Sequence, residues 1–159
     1  YLLLKPPIIG RGIMKNRKRG FSLVELLIVL AVIAALIATI TPVALNAIKK
    51  SKATQVAQNI KTLASAFENA LYVDPESVPT FDNLGRDIDS LSYGIYYTET
   101  NGNYTVAVIT SEEADGTILE SLVQTVEEGP YAGVADEHLG GYTDVDNAEY
   151  YYEFSFTVY

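Results

Sequence analysis

Residues 21–42 read FSLVELLIVLAVIAALIATITP, a run of twenty-two residues in which Glu25 is the only charge and Ser22, Thr39 and Thr41 are the only other polar side chains. At 1.5 Å per residue a helix of that length spans roughly 33 Å, enough to cross a hydrocarbon core. The sequence therefore predicts a membrane helix over 21–42. Six basic residues precede it (Lys5, Arg11, Lys15, Arg17, Lys18, Arg19) and Lys49, Lys50 and Lys52 follow it. The leading group is larger and closer, so the N-terminus is predicted to stay in the cytoplasm. A cleaved secretory signal has the same plan but fits poorly. The apolar run exceeds an ordinary h-region, and the Ala44-x-Asn46 and Leu45-x-Ala47 triplets each miss an Ala-x-Ala site at one position.

Glu25 is the residue that needs explaining. A carboxylate at the bilayer centre costs roughly 2.5–3.5 kcal/mol, less near the interface, so it is either hydrated at headgroup level or has a partner. Its context is Lys-Arg-Gly-Phe-Ser-Leu-Val-Glu-Leu-Leu at residues 18–27, with Met14 seven residues before Phe21.

In residues 15 to about 50 the chain resembles the type IV pilin family. The resemblance implies that a prepilin peptidase cuts on the cytoplasmic side between Gly20 and Phe21, and that the new N-terminus at Phe21 is methylated. It implies that the Glu25 carboxylate meets the free amine of a neighbouring subunit's first residue during assembly, and that Pro42 is the helix-breaking proline of the family. Physical reasoning agrees. A carboxylate that neutralises a terminal amine inside an apolar helical bundle fixes axial register, because a shifted subunit leaves two charges unpaired. Residues 1–20 are then a basic leader that is removed. Its first thirteen residues, YLLLKPPIIGRGI, depart from the family pattern; a start at Met14 gives the leader MKNRKRG, of typical family length.

Composition narrows the rest. The chain has 159 residues, no Cys and one His. That leaves no disulfide framework, thiolate metal site or Cys nucleophile, and no His-clustered zinc site. Residues 1–20 carry six bases and no acid, whereas from Ala53 onward only Lys61 and Arg86 oppose nineteen acids. The C-terminal part should repel nucleic acid and anionic lipid. No Gly-rich phosphate loop, Gly-x-Ser-x-Gly or supported carboxylate pair is present, so no catalytic residue is assigned.

Beyond Pro42 the apolar positions become periodic: Leu45, Ile48, Lys52 or Ala53, Val56, Ile60, Leu63, Phe67 and Leu71 recur at spacings of three and four. This predicts an amphipathic helical stalk over 43–73, ended by Asp74-Pro75. A helix from about Ser22 to Tyr72 would be roughly 75 Å long, more than a small core can bury. Its second half should lay its stripe on a sheet, with Pro42 as a kink or melting point.

Residues 74–159 are predicted to form an acidic α+β head. Asp74 to Leu91 reads as a surface connection rich in Pro, Asp and Ser. Ser92–Thr98 and Tyr104–Thr110 flank an Asn101-Gly102 turn signal and predict an antiparallel hairpin. Thr117–Val126 fits a strand or a short helix equally. Tyr150–Tyr159 alternates aromatic and polar residues, predicting a terminal strand with its aromatic face on the helix.

Glu127–Asn147 is Gly-rich and acidic and reads as a surface loop. Pilins often close this region with a disulfide, which a chain without Cys must replace by strand pairing, a cation or subunit contacts. Asp144 and Asp146 offer hard oxygen ligands suited to calcium, as pseudopilins of type II secretion use, although a solvated acidic loop is the simpler reading and no resident cofactor is assigned. His138 is expected to be an exposed loop residue without a role. Asn103-Tyr104-Thr105 matches a glycosylation acceptor at the hairpin tip.

The expected molecule is a type IV pilin-like α+β precursor, held in the inner membrane with its N-terminus cytoplasmic and extracted into a helical homopolymer at the cell surface. The resemblance implies a prepilin peptidase/methyltransferase, an assembly ATPase and an inner-membrane platform protein as partners. Two other readings stand beside it: a pseudopilin of type II secretion, and a signal-anchored binding module or enzyme that never polymerises. Lys49, Lys50 and Lys52 are expected to offset acids on neighbouring subunits.

Overall fold

A computed structural model of the chain describes Gly10, Gly12, residues 20–133 and residues 136–159. Met14 and the six basic residues of the leader lie outside the described residues. The elements in order are α1 (Leu23–Val73), α2 (Phe81–Leu84), β1 (Tyr93–Thr100), β2 (Asn103–Thr110), α3 (Gly116–Leu122), β3 (Val126–Glu128), β4 (Glu137–Gly141), a 3-10 turn (Val145–Asn147) and β5 (Tyr150–Thr157). Two compact units divide the chain, Tyr1–Thr41 and Pro42–Tyr159. The first contributes the apolar start of α1. The second holds the rest of that helix and a five-stranded antiparallel sheet in the order β3-β5-β2-β1-β4. This is the α+β, type IV pilin-like layout that the sequence led us to expect, with two strands, β3 and β4, beyond the three it made evident.

The stripe on α1 explains how helix and sheet join. Ala53, Val56, Ala57, Ile60, Leu63, Ala64, Phe67 and Leu71 are buried, one face at spacings of three and four. Phe67 sits among Tyr97, Tyr104 and Phe156, with ring centroids 5.3, 6.5 and 6.3 Å away. Leu45 and Ile48 continue the same period but stand exposed, which corrects the expected stripe: sheet cover begins at Ala53. Where the register was open between Lys52 and Ala53, Ala53 goes inward. Lys52 turns outward to an ion pair with Glu112, just past the end of β2. Both side chains are partly solvated, so the bridge contributes about 1 kcal/mol at most. The Lys52 ammonium is held above its usual range chiefly by its hydrogen bond to Glu112. An acid of its own chain, rather than a neighbour's, therefore already offsets Lys52.

The hairpin follows its turn signal. Asn101 and Gly102 both take positive φ, 52° and 82°, as a two-residue mirror-image turn requires. Glu99 Oε1 accepts from the Gly102 amide at 2.7 Å and steadies the tip. β5 pairs along the whole of β2, from Asn103 against Thr157 to Thr110 against Tyr150. Its Tyr150 and Phe156 are buried against the helix side, with Tyr152 and Phe154 packed at the margin. That is the aromatic face the alternation predicted.

One expected loop contains more than loop, and one open alternative is decided. Phe81, in the connection after α1, is buried beneath a single helical turn. The segment Thr117–Val126 resolves into both alternatives in succession, because Asp115 caps the helix by accepting from the Ile118 amide at 3.1 Å and Val126 then opens β3.

Glu127–Asn147 is likewise not a bare loop, for β4 pairs with β1 and forms the sheet edge. Gly94 makes this possible, since a Cβ there would run into the Tyr142 carbonyl oxygen. The Tyr131 ring, Ala148, Ala107 and Ile109 form a second small core. Backbone bonds from Gly129 to Glu149, Tyr131 to Val145 and Glu149 to Thr110 tie the segment down. Strand pairing and a buried ring thus do what a disulfide would.

Tyr131 carries a pH consequence. Burial pushes its phenol well above the ordinary value of 10.0, and the Glu153 carboxylate that accepts its hydrogen bond adds to this. Below about pH 10 the proton is held in both folded and unfolded chains and the stability is fully present; above it the unfolded chain releases the proton first and stability is lost. The midpoint of thermal unfolding, followed by near-ultraviolet dichroism of the full chain in detergent, should fall between about pH 9 and pH 11. Tyr131→Phe should flatten that fall; an unchanged slope would remove Tyr131 from the account.

Candidate processing and assembly site

Gly20, Phe21 and Ser22 precede the helix and are not part of it. The helix start is fixed by a reciprocal pair. The Ser22 hydroxyl accepts from the Glu25 amide at 3.2 Å, and the Glu25 carboxylate accepts from the Ser22 amide at 3.2 Å. This is a capping box, and it satisfies two amides that would otherwise face a membrane without partners. The Ser22 carbonyl then accepts the first helical bond, from Leu26 at 3.1 Å. A carboxylate here also faces the positive end of the helix dipole. The Gly20–Phe21 peptide bond is left outside the helical ladder. The Phe21 ring is 85% exposed.

From Leu23 to Ile40 twelve large apolar side chains are between 46% and 75% exposed, on every side of the helix. Surrendering that surface to water would forfeit on the order of 10 kcal/mol or more of hydrophobic free energy. The helix is long and apolar enough to cross a membrane. Its two internal hydroxyls are satisfied within it: Thr39 donates to the Leu36 carbonyl at 2.9 Å and Thr41 to the Ile37 carbonyl at 2.7 Å. Pro42 lies inside α1 rather than at its end. It has no amide hydrogen to return to the ladder, so one helical bond is missing there.

The structure therefore gathers Gly20, Phe21 and Glu25 at one helix start and leaves Pro42 further along the same element. Ser22 joins these residues through its cap, and Ser-x-x-Glu in front of an apolar run is a signal legible in the sequence itself.

The other candidates lie in the head. Asp144 accepts from the Asn147 side chain at 2.6 Å beside the 3-10 turn, and both Asp144 and Asp146 are exposed. Among the described residues no three His, Cys, Asp or Glu side chains gather as a metal cluster. His138 is exposed on β4 rather than in a loop, and its Nδ1 accepts from the Gly140 amide at 3.1 Å. Asn103 is exposed at the hairpin tip, where its Oδ1 accepts from the Thr157 hydroxyl at 2.8 Å.

No curated protein and no solved structure matches this chain. One family model does match, over residues 15–41, and its description is "Prokaryotic N-terminal methylation motif". That span contains Gly20, Phe21, the Ser22–Glu25 capping box and the exposed apolar helix, and it ends one residue before Pro42. The chain carries in residues 15–41 the prokaryotic N-terminal methylation motif, the signature shared by the precursors of type IV pilins and pseudopilins.

Proposed function

We propose that this chain is a membrane-inserted precursor of a type IV pilin-like filament subunit, cut after Gly20, methylated at Phe21, and polymerised through the apolar part of α1. The observation that carries the reading is the methylation motif leading directly into a helix whose large apolar side chains are bare on all sides. Such a helix has two stable environments, a bilayer before assembly and a bundle of its own kind afterwards. Removing the leader discards the bases that hold the N-terminus at the cytoplasmic face and creates the amine that Glu25 neutralises. Pro42, with its missing helical bond, is where the helix can loosen as the subunit leaves the membrane. The role is structural rather than catalytic, and the partners are a prepilin peptidase and methyltransferase, an assembly ATPase and an inner-membrane platform protein.

The test is the N-terminal residue and mass of the protein recovered from native membranes and from sheared surface material. A methylated Phe21 in the sheared fraction is the expected result. A methylated Phe21 confined to membranes would replace the surface fibre with a short periplasmic pseudopilus. An uncut chain would overturn the reading in favour of an anchored domain that does not polymerise.

A further inference from the structure

A cavity of about 330 Å³ opens on the second unit beside the β3–β5 pair, on the face of the sheet turned away from α1. Tyr131 and Tyr151 line it with their rings, centroids 5.1 Å apart and planes at 61°, and Glu127 and Glu153 line it with carboxylates. Each carboxylate is held by one phenol: Tyr131 donates to Glu153 at 2.9 Å, and Tyr151 donates to Glu127. Among the described residues neither carboxylate meets a cation, since the one ion pair joins Lys52 to Glu112. Two anchored negative charges beside two aromatic faces make a receptor for an organic cation.

The same unit carries a matching cation at its other margin. Arg86 is the one arginine after Arg19, and it stands exposed in the turn that follows α2. No ion pair holds it, although Asp87 is next in sequence. α2 sets the Phe81 ring beside Gly141 of β4, so Arg86 belongs to the β4 margin of the sheet, whereas the cavity lies at the β3 margin. Four strand spacings, roughly 19 Å, separate those two edges. One chain cannot join them, but two copies can, and a contact between unlike faces leaves a free face at each end for the next copy.

We infer that Arg86 of one subunit enters the Tyr131–Tyr151 cavity of the next, its guanidinium on Glu127 and Glu153 and its plane against a tyrosine ring, and so joins the heads of neighbouring copies. A guanidinium presents five N–H donors in a planar fork, enough to meet two carboxylates, and stacks on aromatic faces; the compact ammonium of a lysine does neither as well. Charge balance selects a cation of this chain. Glu127, Glu128, Glu149 and Glu153 gather at the β3–β5 edge with no Lys or Arg in either strand, and like-charged heads repel when packed together. The inference rests on the polymerising subunit proposed above and names one contact between its heads.

The experiment uses the full chain in cells that assemble it. Because the protein has no Cys, Asp87→Cys beside Arg86 and Thr125→Cys in the cavity wall form a specific reporter pair in one chain, and both positions are exposed. Sheared material and membranes are treated with a short bifunctional maleimide and resolved by denaturing electrophoresis. A ladder of dimers, trimers and longer products is expected, and each single-Cys chain should stay monomeric. Arg86→Gln should reduce the ladder roughly tenfold or more, the scale of one desolvated charge-assisted contact. Glu127→Gln combined with Glu153→Gln should do the same while leaving each phenol an acceptor, and adding Arg86→Gln to that pair should cost nothing further. Lys49→Gln should leave the ladder intact. Near-ultraviolet dichroism would verify that each head remains folded. No ladder from filaments that do form, dimers alone, losses that multiply, or an equal loss in Lys49→Gln would overturn the proposal and leave the filament reading standing. An unsubstituted chain that forms no filament would overturn both.

Discussion

Glu25→Gln is expected to abolish filament formation while the protein still inserts in the membrane and folds its head. The substitution separates two tasks that one carboxylate performs. As a cap, Glu25 accepts from the Ser22 amide, and a Gln carbonyl serves almost as well in a capping box. As a charge, in the proposed assembly it would balance the amine that cleavage creates at Phe21, and Gln cannot do that. Removing one member of a buried ion pair destabilises by about 3–5 kcal/mol, because the partner stays buried and unpaired. Repeated at each subunit addition, that loss weakens assembly by roughly 100-fold or more. Ser22→Ala makes the opposite cut: it gives up the hydroxyl that accepts from the Glu25 amide, at about 1 kcal/mol, and leaves the charge in place. Filaments should therefore persist in Ser22→Ala. Shearing and microscopy would count them, and extraction of membranes at high pH would verify insertion. Abundant filaments in Glu25→Gln would show that the carboxylate acts only as a cap.

What the sequence made legible follows from how far each signal reaches along the chain. The apolar helix, the Asn101-Gly102 hairpin and the alternating strand β5 each depend on neighbours within a few residues, so local pattern suffices. The same holds for Gly20, Phe21 and Glu25, whose order is the motif. Ser22 is equally local, since Ser-x-x-Glu is a capping signal within four residues. Other features depend on partners remote in sequence. Nothing near Leu45 or Ile48 distinguishes them from Val56; the difference is that the sheet lies over one and not the others. Phe81 sits in a polar connection and is buried only because β4 returns beside it. The acidic loop hides β4 because Glu-His-Leu-Gly-Gly has weak strand propensity, and its pairing is decided by Gly94 across the sheet. Lys52 could not be assigned to its own chain until Glu112, sixty residues away, was in place.

Phe67→Ala should be the most damaging single change in the head. The ring is fully buried, and it is the point at which α1 meets three aromatic side chains from β1, β2 and β5. Truncation removes a large apolar surface and leaves a cavity among rings that cannot all move inward together, for a loss of about 3–5 kcal/mol. A domain of this size has about 5–15 kcal/mol in total, so the variant stands close to the threshold of folding. Its midpoint in near-ultraviolet dichroism, taken on the full chain in detergent, should drop by at least about 10 °C. Helical signal from the apolar stretch Leu23–Thr41 should survive, because that stretch belongs to the other compact unit and its large side chains are exposed. Ile48→Ala provides the decisive comparison. By period it belongs to the stripe that carries Phe67, yet it is 64% exposed and should change head stability by no more than about 0.5 kcal/mol. Equal losses at the two positions would mean that the helix packs on the sheet from Ile48 onward. A large loss at Phe67 alone would place the boundary between the exposed and the sheet-covered parts of α1 just before Ala53, where the chain passes from lysines that face outward to a stripe that faces the sheet.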